Sequence, residues 1–217
     1  MEAPPKQDNY EVALRLARQD LAGADLVRAA SLAGARVIEG EGEAVLEISF
    51  MGAVYRVSGD PPDMVPAPGG TEPAIWEKVL ILHYLKNAVS DSPTGKWINF
   101  SQVPSGQFYL SAFNRRGPDL AVQFFSRDLE DFARRARALG ATKYDLGEAA
   151  FVFDVLPKVP VLVVLYAGDE EFPPACNVLF DETVPSFLCT EDIAVVTTML
   201  MVKLRKLPAT GPGSEKD

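Results

Sequence analysis

The chain has 217 residues, of which 47% are hydrophobic and 24% charged, a composition typical of globular proteins. Its formal net charge of −9 argues against nucleic acid or an anionic membrane as a partner. No apolar run approaches the roughly 20 residues that a membrane-spanning helix needs. The N-terminal residues show no signal-peptide pattern, so the expected location is the cytoplasm.

The first part of the chain predicts a helix followed by a hairpin. Residues 9–33 carry a helical pattern, with a break expected near Gly23 and a C-terminal cap at Gly34. Residues 45–50 alternate between apolar and polar side chains, and residues 54–57 return as the second strand of a hairpin.

The middle of the chain predicts a connector and several helices. Four prolines within residues 60–70 predict an extended connector. A helix is expected over residues 71–88, with Thr71 as its N-cap. Residues 96–100 predict a short strand, and helices are expected over residues 108–116 and 119–139.

The last third predicts two further strands and a long helix. Residues 151–155 alternate, whereas residues 161–165 are continuously apolar, as expected of a strand buried on both faces. A long connector over residues 168–189 precedes a helix over residues 190–206, which has acidic residues in its first turn and basic residues in its last.

The two halves share an order of landmarks: a helix, a Gly-Ala stop, a Gly-Glu turn, two apolar runs, a Gly-Asp pair and a Thr-Glu helix start. This order predicts an α+β fold, with pseudo-duplicated α-β-β-α units around a mostly antiparallel sheet covered by helices. The alternative is an α+β domain in which these turn and helix-cap residues recur by chance. The predicted parts are a single domain over residues 8–206, made of unit one (about 10–88), a connecting segment (89–118) and unit two (about 119–206), with disordered tails at 1–7 and 208–217.

His83 is the only histidine of the sequence and falls on an apolar stripe of the helix expected over residues 71–88. Imidazole titrates near neutrality and serves as an axial ligand of planar metal cofactors, so haem or a corrinoid could be held here. The alternative is a buried histidine that hydrogen-bonds the backbone or Asn87 and fixes the helix in the core.

The charges are unevenly distributed. The segment from Val159 to Val202 contains no Lys, Arg or His, whereas the segment from Lys86 to Lys143 has nine basic and five acidic residues. The acidic segment could meet a basic partner or bind a hard cation, and solvated loop acids are the alternative. Its carboxylates are those of Asp169, Glu170, Glu171, Asp181, Glu182, Glu191 and Asp192.

Signatures of catalysis are missing from the sequence. It contains no nucleophile elbow, no P-loop and no dinucleotide-binding glycine motif. Cys176 and Cys189 have neither redox nor zinc spacing, so we expect reduced thiols that pack as small apolar groups. The arginines of the central segment, among them Arg115 and Arg116, could hold an anionic ligand or form surface ion pairs.

Several stretches resemble one known family, catalogued as domain of unknown function 3786, over roughly residues 10–206. The most specific stretch is Gly-Asp-Glu-Glu-Phe-Pro followed by Leu-Phe-Asp. The matching stretches are residues 81–85 (ILHYL), 95–100 (GKWINF), Pro104, Gly106, Phe108, Tyr109, Pro157, Pro160, 168–173 (GDEEFP), 179–181 (LFD) and 190–192 (TED).

The resemblance implies a protein of anaerobic bacteria or archaea. Some members carry an additional four-cysteine iron–sulfur domain of a kind also seen in corrinoid proteins, and the two cysteines of this sequence do not match it. The implied context is anaerobic redox or corrinoid chemistry, with an iron–sulfur or corrinoid protein as partner and a corrinoid or haem as the cofactor to consider. The resemblance supplies no catalytic residues.

The family stretches coincide with His83, the acidic connector and the loop around Trp97. We therefore predict a cofactor-binding site where the His83 helix meets the acidic connector. The expected function is that of an accessory protein that binds a cofactor or a redox partner; the alternative is an enzyme of one-carbon or corrinoid metabolism that uses His83 and nearby carboxylates. The predicted site residues are His83, Trp97, Tyr109, Asp169, Glu170 and Asp181.

Overall fold

The computed structural model describes residues 7–39 and 44–208, which divide into two compact units. The predicted tails lie outside the described residues, except for Gln7 and Pro208. The predicted connecting segment belongs mostly to the second unit. Unit 1 comprises the described residues up to Ser92 with Leu156–Lys158 and Ser186–Leu188, and unit 2 comprises Pro93–Val155, Val159–Pro185 and the described residues from Cys189 onwards.

The elements described in unit 1 are α1 (Gln7–Asp20), α2 (Leu26–Ala33), β1 (Arg36–Glu39), β2 (Ala44–Phe50), β3 (Ala53–Ser58), β4 (Asp63–Pro66) and α3 (Ile75–Lys86). The strands form a four-stranded antiparallel meander in the order β1-β2-β3-β4. Consecutive strands pair with each other because neighbours in sequence lie side by side.

The predicted break in the first helix is confirmed. Gly23 adopts a left-handed conformation with φ +70°, and α2 then starts after Asp25, whose carboxylate accepts a hydrogen bond from Arg28 N at 3.0 Å. Gly34, with φ +69°, ends α2, as expected of a glycine cap.

Two predictions for unit 1 are wrong. The proline-rich connector contains strand β4, in which Met64 is buried opposite Val57. Its Pro66 is tolerated because it lies at the end of an edge strand. The following helix begins at Ile75 rather than at Thr71, because Glu77 caps Ala74: Glu77 Oε2 accepts a hydrogen bond from Ala74 N at 2.7 Å.

The remaining elements are β5 (Trp97–Asn99), α4 (Gly106–Arg116), α5 (Pro118–Phe125), α6 (Leu129–Ala138), β6 (Thr142–Tyr144), β7 (Ala149–Leu156), β8 (Val159–Tyr166), β9 (Ala175–Asp181), α7 (Val184–Phe187) and α8 (Thr190–Lys206). A short 3-10 turn (Phe100–Gln102) follows β5. The second sheet has five strands in the order β5-β9-β8-β7-β6, with antiparallel pairing between β5 and β9, β8 and β9, and β6 and β7.

The predicted α+β class with antiparallel strands is confirmed, and residues 161–165 are fully buried as expected. The prediction of a single shared sheet is wrong. Most strands pair with their neighbours in sequence, and they form two separate sheets. The helix expected over residues 119–139 is two helices, because Asp128 caps α6 by accepting a hydrogen bond from Asp131 N at 2.8 Å. The connector expected over residues 168–189 contains β9 and α7.

Aromatic packing fixes α4 in unit 2. Phe113 of α4 stacks on Phe100 with ring centroids 3.9 Å apart, and both rings contact Phe180 of β9. Gly106 permits this close approach, because a Cβ atom there would lie 1.8 Å from the carbonyl oxygen of Phe100. One side of α4 therefore packs in the core.

Candidate functional site

Five of the six predicted site residues lie in unit 2, whereas His83 lies in unit 1. His83 is half-buried on α3, and its carbonyl oxygen accepts a hydrogen bond from Asn87 N at 3.0 Å. The Asn87 side chain donates to the carbonyl oxygen of Phe187, a residue of the same unit, at 3.3 Å. A cofactor role for His83 stays a prediction.

Asp181 is fully buried, and its carboxylate holds two loop segments by hydrogen bonds. Oδ2 accepts from Thr94 N at 2.9 Å and from Gly95 N at 2.6 Å. Oδ1 accepts from Thr183 N at 3.0 Å and from Thr183 Oγ1 at 2.8 Å. Burial opposes ionisation, but these hydrogen bonds outweigh it and lower the pKa of Asp181. Asp181 therefore acts as an internal anchor that stays ionised at neutral pH.

Trp97 lies opposite Asp181 in the β5–β9 pairing. Its ring packs against a buried apolar cluster that includes Leu162 and Val164. Its Nε1 donates a hydrogen bond to Tyr144 Oη at 3.2 Å, and the two rings meet edge to face with centroids 6.0 Å apart. Trp97 thus covers one face of the sheet and, through β5, is adjacent to the Asp181 anchor.

The segment Gly168–Pro174, which we call the Phe172 loop, is exposed throughout. Asp169 holds its backbone: Oδ1 accepts from Glu171 N at 2.8 Å and from Phe172 N at 2.7 Å, and Asp169 N donates to the carbonyl oxygen of Phe172 at 2.9 Å. The backbone hydrogen bonds from Phe172 and Glu171 lower the pKa of Asp169. The side chains of Glu170 and Glu171 are both exposed to solvent.

The Phe172 loop carries a large aromatic side chain that is exposed to solvent. Phe172 is 66% exposed, although its backbone is held in place by Asp169. Large exposed aromatic side chains on a fixed backbone are typical of interaction sites. The loop is fixed by its own residues and does not require a ligand to order it.

Tyr109 lies on α4 and is 60% exposed. The neighbouring Phe108 is 89% exposed, the largest value among the apolar side chains that the structure describes as exposed. Phe108 belongs to the stretches that carry the family resemblance but was not among the predicted site residues. The signal that could have indicated it was the placement of two consecutive aromatic residues on a helix whose buried side is already occupied by Phe113.

A cleft of about 400 Å³ opens in unit 2 where α4 and α5 lie beside the start of β9. None of the six predicted residues lines it. Burial, and then the charge of Asp119, raise the pKa of Cys176 to about 12, so its thiol is protonated at neutral pH. The lining residues are Asn114, Pro118, Asp119, Val122, Pro174, Ala175, Cys176 and Asn177. They come from separate elements, so no local sequence pattern could have indicated the cleft.

Within residues 7–39 and 44–208, no three His, Cys, Asp or Glu side chains are placed so that they could hold a metal ion. None of the helices in this described part has the length and apolar character to cross a membrane.

Two antiparallel meanders with accompanying helices, together with exposed aromatic side chains, define an α+β protein with candidate interaction surfaces in unit 2. A family model described as domain of unknown function (DUF3786) matches residues 25–203, and the chain belongs to this family. Searches of the curated proteins and of the solved structures found no match.

Proposed function

We propose that the protein is a non-catalytic accessory protein that binds a partner protein through the Phe172 loop. The observation that carries the proposal is the 66% exposure of Phe172 on a backbone fixed by the Asp169 carboxylate. Burial of an aromatic anchor is a main source of affinity in protein interfaces, and its truncation costs at least about 2 kcal/mol. A fixed loop also loses little conformational freedom on binding.

The charges around Phe172 define the chemistry of the partner. Glu170 and Glu171 precede the ring directly, and no basic residue occurs between Val159 and Val202. A complementary surface has an apolar pocket for the ring and Lys or Arg side chains around it. Such a pair associates more slowly as salt concentration rises, because exposed charges are screened over about 8–10 Å at physiological ionic strength.

The internal hydrogen bonds of the predicted site favour the accessory role over the alternative enzyme. The Asp181 carboxylate accepts five hydrogen bonds, and the Asp169 carboxylate holds its own loop. Both carboxylates have lowered pKa values, whereas a general acid–base group needs a pKa near the working pH. We assign Asp169 to the support of the Phe172 loop, and Asp181 to the support of the loop segments at the end of β9, where Asp181 pairs with Trp97.

The family resemblance suggests the setting of this interaction. In our proposal the partner is a cytoplasmic iron–sulfur or corrinoid protein of anaerobic metabolism, and a cofactor bound near His83 is a second role to be tested. The resemblance supports this context, and the chemistry of the Phe172 loop supports a protein partner with a basic surface.

We also propose that the two meanders arose by internal duplication. Each follows a helix that ends near a left-handed glycine, Gly34 with φ +69° and Gly140 with φ +83°. Each contains four strands that pair in consecutive order, and each is followed by a helix. The shared order of elements supports the duplication, with β5 as an addition to the second sheet.

Position-specific photo-crosslinking tests the partner-binding proposal. A photoreactive phenylalanine analogue replaces Phe172 in one protein and Val54 in a control protein. Val54 is an exposed apolar residue of the unit 1 sheet. Both proteins are illuminated in an extract of the source organism, and crosslinked peptides are identified by mass spectrometry.

The proposal predicts one dominant crosslinked protein from position 172 and none of it from position 54. The crosslinked peptide should lie on a basic surface, and the purified partner should bind the wild-type chain more weakly at high salt. Phe172→Ser should weaken that binding roughly 30-fold, the equivalent of about 2 kcal/mol. Equal crosslinking from the two positions, or unchanged binding by Phe172→Ser, would contradict the proposal.

A further inference from the structure

Helix α4 presents an outward face that the core does not use. On a helical wheel, Phe108, Ser111 and Arg115 follow the i, i+3, i+7 spacing of one stripe, and all three are exposed. Phe113 and Gly106 occupy the opposite, buried side. The aromatic end of the stripe is thus the N-terminal end of the helix, and the cationic end is the C-terminal end.

This stripe is complementary to itself when a second copy is turned around. Phe108 and Arg115 are seven residues apart, about 10 Å along the helix axis. The midpoint of that spacing falls between Ser111 and Ala112, whose side chains are small enough to let two helix axes approach to about 8–10 Å. Two antiparallel copies of α4 that cross at this point bring each Phe108 beside the Arg115 of the other copy.

We propose that the chain forms a two-fold symmetric dimer through α4, with Arg115 of each copy stacked on the Phe108 ring of the other. The guanidinium group over an aromatic face is a favourable cation–π contact, and two-fold symmetry provides it twice. Tyr109 flanks the stripe and extends the aromatic surface, since it is 60% exposed. The symmetric contact also buries Phe108, which is 89% exposed in the single chain.

The charge pattern selects a second copy over an acidic partner. An acidic partner would need only the arginine end of the stripe and would leave Phe108 exposed. A second copy in the reverse direction offers a cation to the ring and a ring to the cation at the same spacing, so that it uses both ends of the stripe. The dimer is independent of the Phe172 loop, because the contact uses α4 residues alone.

Sedimentation velocity of the full chain between 5 and 200 µM, roughly the range of weak to moderate dimers, tests the proposal. The wild-type chain should sediment as a dimer in a concentration-dependent manner. Phe108→Lys places Lys beside Arg115, and Arg115→Glu places a carboxylate beside the ring. Each variant should weaken dimerisation at least roughly tenfold, because both symmetric contacts are lost.

A charge swap makes the test specific for the antiparallel pairing. The double variant Phe108→Lys/Arg115→Glu should regain the dimer, because each Lys then meets the Glu of the other copy. An equimolar mixture of the two single variants should form a mixed dimer for the same reason. Val12→Lys and Gln19→Glu are the matched controls: they introduce the same charges seven residues apart at exposed positions of α1, and they should leave the dimer intact.

A wild-type chain that stays monomeric at 200 µM, or a dimer that neither single variant weakens, would overturn the proposal. Failure of the double variant to regain the dimer would also overturn it. Circular dichroism shows that each variant is folded, and no core contact is altered because both positions are exposed. Phe172→Ser should keep the dimer, so the failure of this proposal and that of the partner-binding proposal can be told apart.

Discussion

Replacement of Asp181 by alanine distinguishes a structural role of this residue from a role in ligand binding. The carboxylate is fully buried and accepts hydrogen bonds from Thr94, Gly95 and Thr183. If Asp181 is an anchor, Asp181→Ala lowers the free energy of unfolding. If it is mainly a ligand-binding residue, the variant folds with nearly normal stability and loses only binding.

The size of the loss in unfolding free energy depends on the hydrogen-bond donors that Asp181→Ala leaves without their acceptor. Hydrogen bonds to charged groups contribute about 1.5–3 kcal/mol each, and unpaired buried donors carry a desolvation cost. Thr94 and Gly95 are exposed, so water can replace the carboxylate at their N–H groups, whereas Thr183 is half-buried and offers two donors. Counting the two Thr183 bonds in full and the others in part gives a loss of about 4 kcal/mol for Asp181→Ala.

Urea unfolding followed by tryptophan fluorescence measures this loss. A Trp76→Phe background leaves Trp97, which lies opposite Asp181 in the β5–β9 pairing, as the single reporter for unit 2. Glu170→Ala is the control, since it removes an exposed carboxylate of the same unit, and it should leave unfolding close to that of the background. A loss below about 1 kcal/mol for Asp181→Ala would refute the anchor role.

The same anchor predicts a pH dependence with a definite sign. The folded-state pKa of Asp181 lies below its ordinary value of 3.8, so the stabilisation is present above pH 3.8 and is lost as pH falls through the lower folded pKa. Asp181→Asn cannot ionise, so its stability deficit should shrink as the pH falls below about 4. A deficit that is constant from pH 7 to pH 3 would contradict this reasoning.

Two further predictions concern packing and thiol chemistry. Gly106→Ala should destabilise the chain by more than about 3 kcal/mol, because its Cβ would lie 1.8 Å from the Phe100 carbonyl oxygen; a thermal midpoint equal to that of the wild type would show that the turn can move freely. In the native protein, Cys189 should react slowly with a disulfide reagent such as DTNB, because it is exposed although partial burial raises its pKa, whereas Cys176 should react only after unfolding, because it is buried and its pKa is raised to about 12. Cys189→Ser should abolish the native reaction, and two reactive thiols in the folded wild type would contradict the prediction.

Elements with local start and stop signals could be predicted from the sequence. Helix α8 spans Thr190–Lys206 as expected, because its acidic first turn and basic last turn mark both ends. The buried strand β8 was also found from its continuous apolar run. Strands β1, β4, β6 and β9 were missed, because each is recognisable only from its pairing with another strand.

The contacts of the candidate site also could not be predicted from local sequence signals. The acidic character of the segment that contains Asp181 was evident from the sequence, but its hydrogen-bond donors Thr94 and Gly95 lie 87 and 86 positions away along the chain. No local pattern distinguishes a carboxylate that faces a ligand from one that holds a distant loop. The exposure of Phe172 and Phe108 likewise depends on which side of each element the core occupies.

The most direct test of the proposed function is the affinity of the crosslinked partner for three forms of the chain, measured by isothermal titration at low and high salt. We predict a roughly 30-fold loss of affinity for Phe172→Ser and a smaller loss, roughly three- to tenfold, for Asp169→Ala, which frees the loop but keeps the ring. Both variants should unfold at the same urea concentration as the wild type. Unchanged affinity for both variants would show that the Phe172 loop is not the binding surface.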